Sequence, residues 1–169
     1  FEDENLLVAD KPRGIVAEEI AALFREEGKE IIPVHRLDRN TRGILLFAKN
    51  AAAEKALTDG FRARAFEKYY RARVYGVPAK RRACLTAYLV KDAARGFVKI
   101  YDEKVPGGAE IRTEYELERD NGDGTSTLLV RLHTGKTHQI RAHLAHIGHF
   151  IVGDGKYGKA EINRRYGEK

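Results

Sequence analysis

Hydrophobic and polar positions alternate in two distinct rhythms along this chain. Residues 6–9 (Leu-Leu-Val-Ala) form a short apolar run that stops at Lys11-Pro12-Arg13-Gly14, a strand followed by a turn. Val16, Ile20, Leu23 and Phe24 then recur at helical spacing, which predicts an amphipathic helix over 16–27 closed by Gly28. Glu-Ile-Ile-Pro-Val (30–34) suits a strand interrupted by Pro33, and 43–49 is a strongly apolar strand. Asn50 caps a helix predicted to run to Arg64, with Ala53, Leu57 and Phe61 on one face.

From residue 67 the period changes to two. Residues 67–76 place Tyr70, Ala72 and Val74 on one face and Tyr69, Arg71, Arg73 and Tyr75 on the other. Further strands are predicted at 84–90, 97–101, 111–117 and 127–133, the last after the hairpin chemistry of Asp-Asn-Gly-Asp-Gly-Thr-Ser (120–126). Ile140, Leu144 and Ile147 fall at i, i+4 and i+7, so 137–147 reads as a helix that stops at Gly148. Many strands and three scattered helices, without repeats or a dividing linker, predict an α+β fold. A mixed, largely antiparallel central sheet is expected, flanked by helices and loops.

Composition narrows the setting. At 169 residues the chain is long enough for one domain with a real core. Its single cysteine, Cys84, excludes an internal disulfide and suits a reducing, cytoplasmic compartment. No apolar run approaches membrane-spanning length. The chain contains no methionine, so residues upstream of Phe1 are expected. The net charge of +6 is unevenly spread. Residues 1–34 carry four Lys/Arg against nine Asp/Glu, whereas residues 35–104 carry seventeen against seven. A basic middle favours a polyanion, and nucleic acid before membrane.

The candidate chemistry is concentrated in two stretches. Gly135-Lys136-Thr137 looks like the end of a phosphate-binding loop, but the glycine required five residues earlier is Val130, inside a strand, so that reading fails. In Val-His-Arg-Leu-Asp-Arg-Asn-Thr-Arg-Gly (34–43), Asp38 lies between Arg36 and Arg39, whose charges favour its ionised form. Such an aspartate can act as nucleophile or base, although an isolated Arg-x-Asp is most often a solvated ion pair. His143, His146 and Asp154 could share a metal, but histidines near a helix end more often serve structure. Tyr69, Tyr70 and Tyr75 are, taken singly, packing residues.

Taken in order, four motifs resemble the pseudouridine synthases of the RluA type, which isomerise uridine in ribosomal or transfer RNA. They are FEDENLLVADKPRG, HRLDRNTRGILLFAKN, KYYRARVYG and LHTGKTHQIRAHLAHIGHFIVGDGKYG, and they cover nearly the whole chain. The resemblance implies one catalytic domain over 1–169, with an upstream RNA-binding domain present in many relatives. It implies Asp38 as the essential carboxylate, Arg141 as the arginine that pairs with it, and Tyr70 as the residue that packs on uracil and handles a proton. Arg36 matches a residue that enters the RNA stack where the uridine is flipped out. His35, Arg39, Thr41, Lys68, Lys136, His138, Gln139 and Ile140 complete the implied RNA-contacting set. Arg42 and Lys136 depart from the commoner residues at their positions. The partner is then RNA, ribosomal before transfer, and the enzyme a monomer with no metal and no organic cofactor, because the reaction is an isomerisation. A catalytically silent RNA-binding module and a hydrolase using His143, His146 and Asp154 are the competing readings.

If the basic block 35–104 contacts phosphates, RNA affinity falls steeply with added salt through counterion release. Filter binding across a salt series checks this, and a flat response would count against a phosphate-contacting surface.

Overall fold

The computed structural model describes residues 1–166, which form two compact units, one over Phe1–Phe66 and one beginning at Glu67. Unit one contains β1 (Leu6–Lys11), α1 (Ala17–Glu26), β2 (Ile32–Pro33), β3 (Gly43–Ala48) and α2 (Ala51–Arg62). Its three strands pair antiparallel in the order β1-β3-β2. Leu7, Leu45 and Phe47 point to the face covered by Ala17, Ile20 and Ala21 of α1, and this is the unit's buried core. The N–H of Val16 donates to the Glu19 carboxylate at 2.9 Å, which satisfies one open donor at the start of α1. The Asn50 side chain accepts from the Ala53 N–H at 2.9 Å, the cap expected from sequence. A Cβ on Gly60, in α2, would come within 2.7 Å of the Phe66 ring. Glycine there admits a stack of His35, Phe61 and Phe66.

Unit two contains β4 (Lys68–Tyr75), β5 (Arg82–Asp92), β6 (Phe97–Tyr101), β7 (Ala109–Asp120), β8 (Thr125–Leu132), α3 (Gln139–His146) and α4 (Ala160–Arg165). The strands form one antiparallel sheet in the order β4-β8-β7-β5-β6. The predicted face of β4 is the inward one. Ala72 and Val74 are buried with Tyr70 packed against them, whereas Tyr69, Arg71 and Tyr75 are exposed. Leu144 of α3 is buried in the same cluster, with Ile140 and Ile147 beside it. Residues 150–152 line the free edge of β4, with Tyr75 N–H donating to Phe150 O and Val152 N–H to Arg73 O. No helix of the described residues is long and apolar enough to cross a membrane.

The α+β class stands, with two corrections of detail. Among the described residues every strand pairing is antiparallel, and the strands lie in sheets of three and five, not in one mixed sheet. Short hairpin connections, such as the turn before Thr125, return the chain beside itself and enforce that direction. The helix α4 has no counterpart in the periodicity, because six residues are too few to show one.

His143 illustrates how the core constrains a titratable group. Only 2% exposed, it faces Thr113, whose hydroxyl lies 3.0 Å from Nδ1. Gln139 already donates to that hydroxyl at 3.0 Å, so the hydroxyl proton is placed to donate to an unprotonated Nδ1. Burial pushes the imidazole down to about 4, aided by the charge of His146 and opposed by Asp102. A histidine depressed in this way contributes stability above its unfolded value of about 6.5 and loses it on acidification. The unfolding free energy from urea titration is therefore expected to fall between pH 6.5 and about pH 4, by up to about 3 kcal/mol from this residue. The fall should flatten in His143→Gln, and an unchanged pH dependence in that variant would show that His143 does not cause it.

Candidate active site

In unit one, the sequence-predicted residues His35, Arg36, Asp38, Arg39 and Thr41 lie on the segment between β2 and β3. Asp38 sits between two anchors. On one side, the Leu46 N–H donates to His35 Nε2 at 3.0 Å. A backbone amide can only donate, so Nε2 carries no proton and His35 is bound as the neutral Nδ1–H tautomer. On the other side, the Arg39 carbonyl accepts from Gly14 N–H at 2.9 Å and from Lys11 Nζ at 3.0 Å. The Arg39 guanidinium donates to the Gly14 carbonyl and to both carboxylate oxygens of Glu19. Thr41 N–H closes a turn on the Asp38 carbonyl at 3.0 Å. Arg36 is 81% exposed, with a long 3.7 Å ion pair to Glu18, and Arg42 reaches Asp10 at 3.6 Å.

Lys11 holds this arrangement from beneath. It is fully buried, and its ammonium donates to the carbonyls of Pro12, Ile15 and Arg39 at 2.8, 2.8 and 3.0 Å. Three acceptors take all three ammonium hydrogens, so the bound form is the charged one. Burial and the Arg39 charge pull its pKa below the usual lysine range, opposed by the charges of Asp38 and Glu19. Sequence reasoning saw Lys11 only as a letter of the Lys-Pro-x-Gly turn. The missed signal was a lysine at an inward strand position, two residues after Ala9 and four after Leu7.

In unit two, β4 supplies Lys68 and Tyr70, and the β8–α3 turn supplies Lys136, His138, Gln139, Ile140 and Arg141. Gln139 is buried, and its amide is fully committed. Its Oε1 accepts from Thr134 and the Lys136 N–H, while Nε2 donates to the Arg112 carbonyl and Thr113. Ile140 packs on the core, whereas Lys136 is exposed. His138 caps α3 in the left-handed region at φ 53°, a costly conformation for a residue with a Cβ. Its Nδ1 lies 2.9 Å from the Tyr157 hydroxyl.

Arg141 does not point to a lone acceptor. Its Nε and one terminal nitrogen form a two-pronged bond to Asp154 at 2.7 and 3.1 Å. The Asp154 side chain is nearly fully buried, and burial alone would raise its pKa. The Arg141 bond and the N–H groups of Tyr157 and Lys156 outweigh that and hold the carboxyl below the ordinary aspartate range. Asp154 was considered in sequence only as a metal ligand. The structure gives the three proposed ligands separate partners, with His143 on Thr113, His146 on Asp102 and Asp154 on Arg141. Among the described residues, no group of three or more His, Cys, Asp or Glu could hold a metal ion.

Comparison with known proteins shows the family of the chain. The model of the family described as RNA pseudouridylate synthase matches residues 5–146. The chain belongs to this family. It is 34% identical over 175 residues to the protein named dual-specificity RNA pseudouridine synthase RluA of Vibrio parahaemolyticus, covering 95% of this chain and 69% of that protein. A relative in Chloroflexus aurantiacus named uncharacterized RNA pseudouridine synthase is 40% identical over 151 residues, and the match spans 46% of its length. The solved structure of human RNA Pseudouridylate Synthase Domain Containing 1 superposes with a TM-score of 0.83 at 25% identity, covering 98% of this chain and 71% of that one. The chain is thus an RluA-type RNA pseudouridine synthase, an isomerase acting on RNA.

Within this synthase, the Lys11 cluster predicts a stability effect. Lys11→Met keeps most of the volume but leaves buried carbonyls without their donor, which should lower unfolding free energy by about 2–4 kcal/mol. Equal urea midpoints for variant and wild type would show that the three bonds contribute no net stability.

Proposed function

We propose that this chain isomerises particular uridines of structured RNA to pseudouridine, in ribosomal RNA first and transfer RNA second, with Asp38 as the essential carboxylate. The observation that carries the proposal is the family match over residues 5–146, which contains Asp38, Tyr70 and Arg141 together with their sequence motifs. In this reading the target uridine is flipped out of its stack, because a stacked nucleotide hides C1′ from a protein carboxylate. Asp38 attacks or assists at the ribose while the C1′–N1 bond breaks. The base turns, C5 bonds to C1′, the C5 proton leaves, and N1 gains a proton. Nothing is oxidised or hydrolysed, so no metal or organic cofactor is required.

The residues support these roles in chemical terms. Asp38 sits on a segment pinned on both sides, which suits a group that must meet one carbon in one geometry. Tyr70 lies on the inward face of β4, half-buried, as a residue packing on a base requires. Arg141 is a charged fork held in one attitude by Asp154, as an arginine that orients a second carboxylate requires. The exposure of Arg36 beside Asp38 suits a side chain that enters the RNA stack in place of the flipped base. Lys136, exposed at the β8–α3 turn, is assigned to the RNA backbone, as a point charge and not a planar fork. The reading also places the protein in the cytoplasm as a monomer.

The test incubates wild-type protein and Asp38→Asn with total ribosomal and transfer RNA. Pseudouridine is then mapped by chemical derivatisation that stops reverse transcription. Discrete sites should gain signal with wild type and none with Asp38→Asn. Activity retained by Asp38→Asn would remove Asp38 from the chemistry, and no gain with wild type would sink the activity assigned to this stretch.

A further inference from the structure

The turn at residues 153–158 holds Arg141 through Asp154, and a set of internal bonds fixes its shape. Asp154 accepts from the N–H groups of Lys156 and Tyr157 at 2.8 and 3.1 Å, folding the turn over its own carboxylate. Buried Asn163 of α4 clamps it, accepting from Gly153 N–H at 2.9 Å and donating to the Asp154 carbonyl at 3.1 Å. A Cβ at Gly158 would lie 2.4 Å from that same carbonyl, so no side chain fits there.

What this turn presents is Tyr157. Its ring lies 5.3 Å from the guanidinium carbon of Arg141, within cation–π range. It meets the His138 ring edge-on at 5.6 Å and packs on Phe97 at 4.6 Å. Its hydroxyl accepts from the Val98 N–H on strand β6 at 3.0 Å and lies 2.9 Å from His138 Nδ1. One side chain, held by the sheet, therefore touches the face of Arg141 and the ring of His138. Asp154, in the same turn, grips the edge of Arg141. Asp154 holds the edge of the guanidinium and the Tyr157 ring lies against its face, so the two contacts together define its plane. His138, in the left-handed backbone region, meets the same ring through both its edge and its Nδ1.

We propose that Tyr157 is a positioning residue for the isomerisation, fixing the plane of Arg141 and the ring of His138 together. The proposal rests on the assignment of Arg141 to the reaction, given above. Tyr157 touches no reacting atom in this reading. It sets the attitude of the arginine that orients the carboxylate, and small misplacements of such groups are costly in rate.

The test compares wild type, Tyr157→Phe and Tyr157→Leu as full chains on an RNA site that the wild type modifies. Tyr157→Phe keeps the ring and loses the hydroxyl. Its kcat should fall about tenfold with KM within about twofold, because without the bond from Val98 N–H the ring no longer sits in one place against Arg141. Tyr157→Leu, which also loses the ring face, should fall about a hundredfold. In parallel, imidazole resonances are followed through a pH titration by NMR. The His138 titration should move in Tyr157→Phe while that of His146, bonded to Asp102, stays in place. A Tyr157→Phe enzyme within about twofold of wild-type kcat, or an unmoved His138 titration, overturns the proposal. A wild type that forms no pseudouridine overturns the proposed function instead, and with it any link from Tyr157 to catalysis. The NMR comparison separates that failure from a mistaken account of what Tyr157 holds.

Discussion

The buried ion pair between Asp154 and Arg141 is the constraint around which unit two is organised. An arginine half-exposed at the start of a short helix would ordinarily sweep through many rotamers. A nearly fully buried carboxylate, itself charged only because three donors surround it, fixes one edge of the guanidinium instead. The cost of burying that carboxylate is offset by the same donors: two backbone N–H groups of a tight turn and the arginine itself. The chain returns along β4 at 150–152 before making the turn, so the pair is tied to the sheet.

Unit one applies a similar solution with opposite charge. A fully buried ammonium gathers three carbonyls, one of them belonging to Arg39, next to Asp38. Arg39 is then occupied by Glu19, and His35 is tied to β3 as a neutral ring. In both units, residues flanking a candidate catalytic group are committed to the protein. Arg36 and Lys136 are both exposed, Arg36 with a long ion pair to Glu18. Part of the basic surplus of residues 35–104 is matched by carboxylates within the protein. Arg71, Arg73 and Arg82 of that block spend charge on Glu118, Asp123 and Glu114.

The candidate site was partly legible in the letters. The His-Arg-Leu-Asp and His-Gln-Ile-Arg motifs named Asp38 and Arg141, and the period-two pattern of β4 put Tyr70 on the inward face. The roles of neighbouring letters were not legible. Gln139 reads in sequence as a polar residue at a helix start, but its amide closes four internal hydrogen bonds. Asp154 reads as a possible metal ligand downstream of histidines, and its partner is an arginine thirteen residues earlier. A hydrogen bond depends on where two distant atoms end up, and composition and spacing do not encode that distance.

By itself the sequence determined the alternation that makes β4 two-faced, the apolar stripe that seats α3, the Asn50 cap, and the motifs that mark the family. These are local properties, set by side-chain chemistry within one or two turns or a few strand residues. Tertiary structure alone decided that Lys11 lies buried under the Asp38 segment, that the strands part into two antiparallel sheets, and that Tyr157 meets Arg141 and His138. Each of these depends on contacts between residues far apart in the chain, and so on the folding of the whole unit that brings them within a few ångströms.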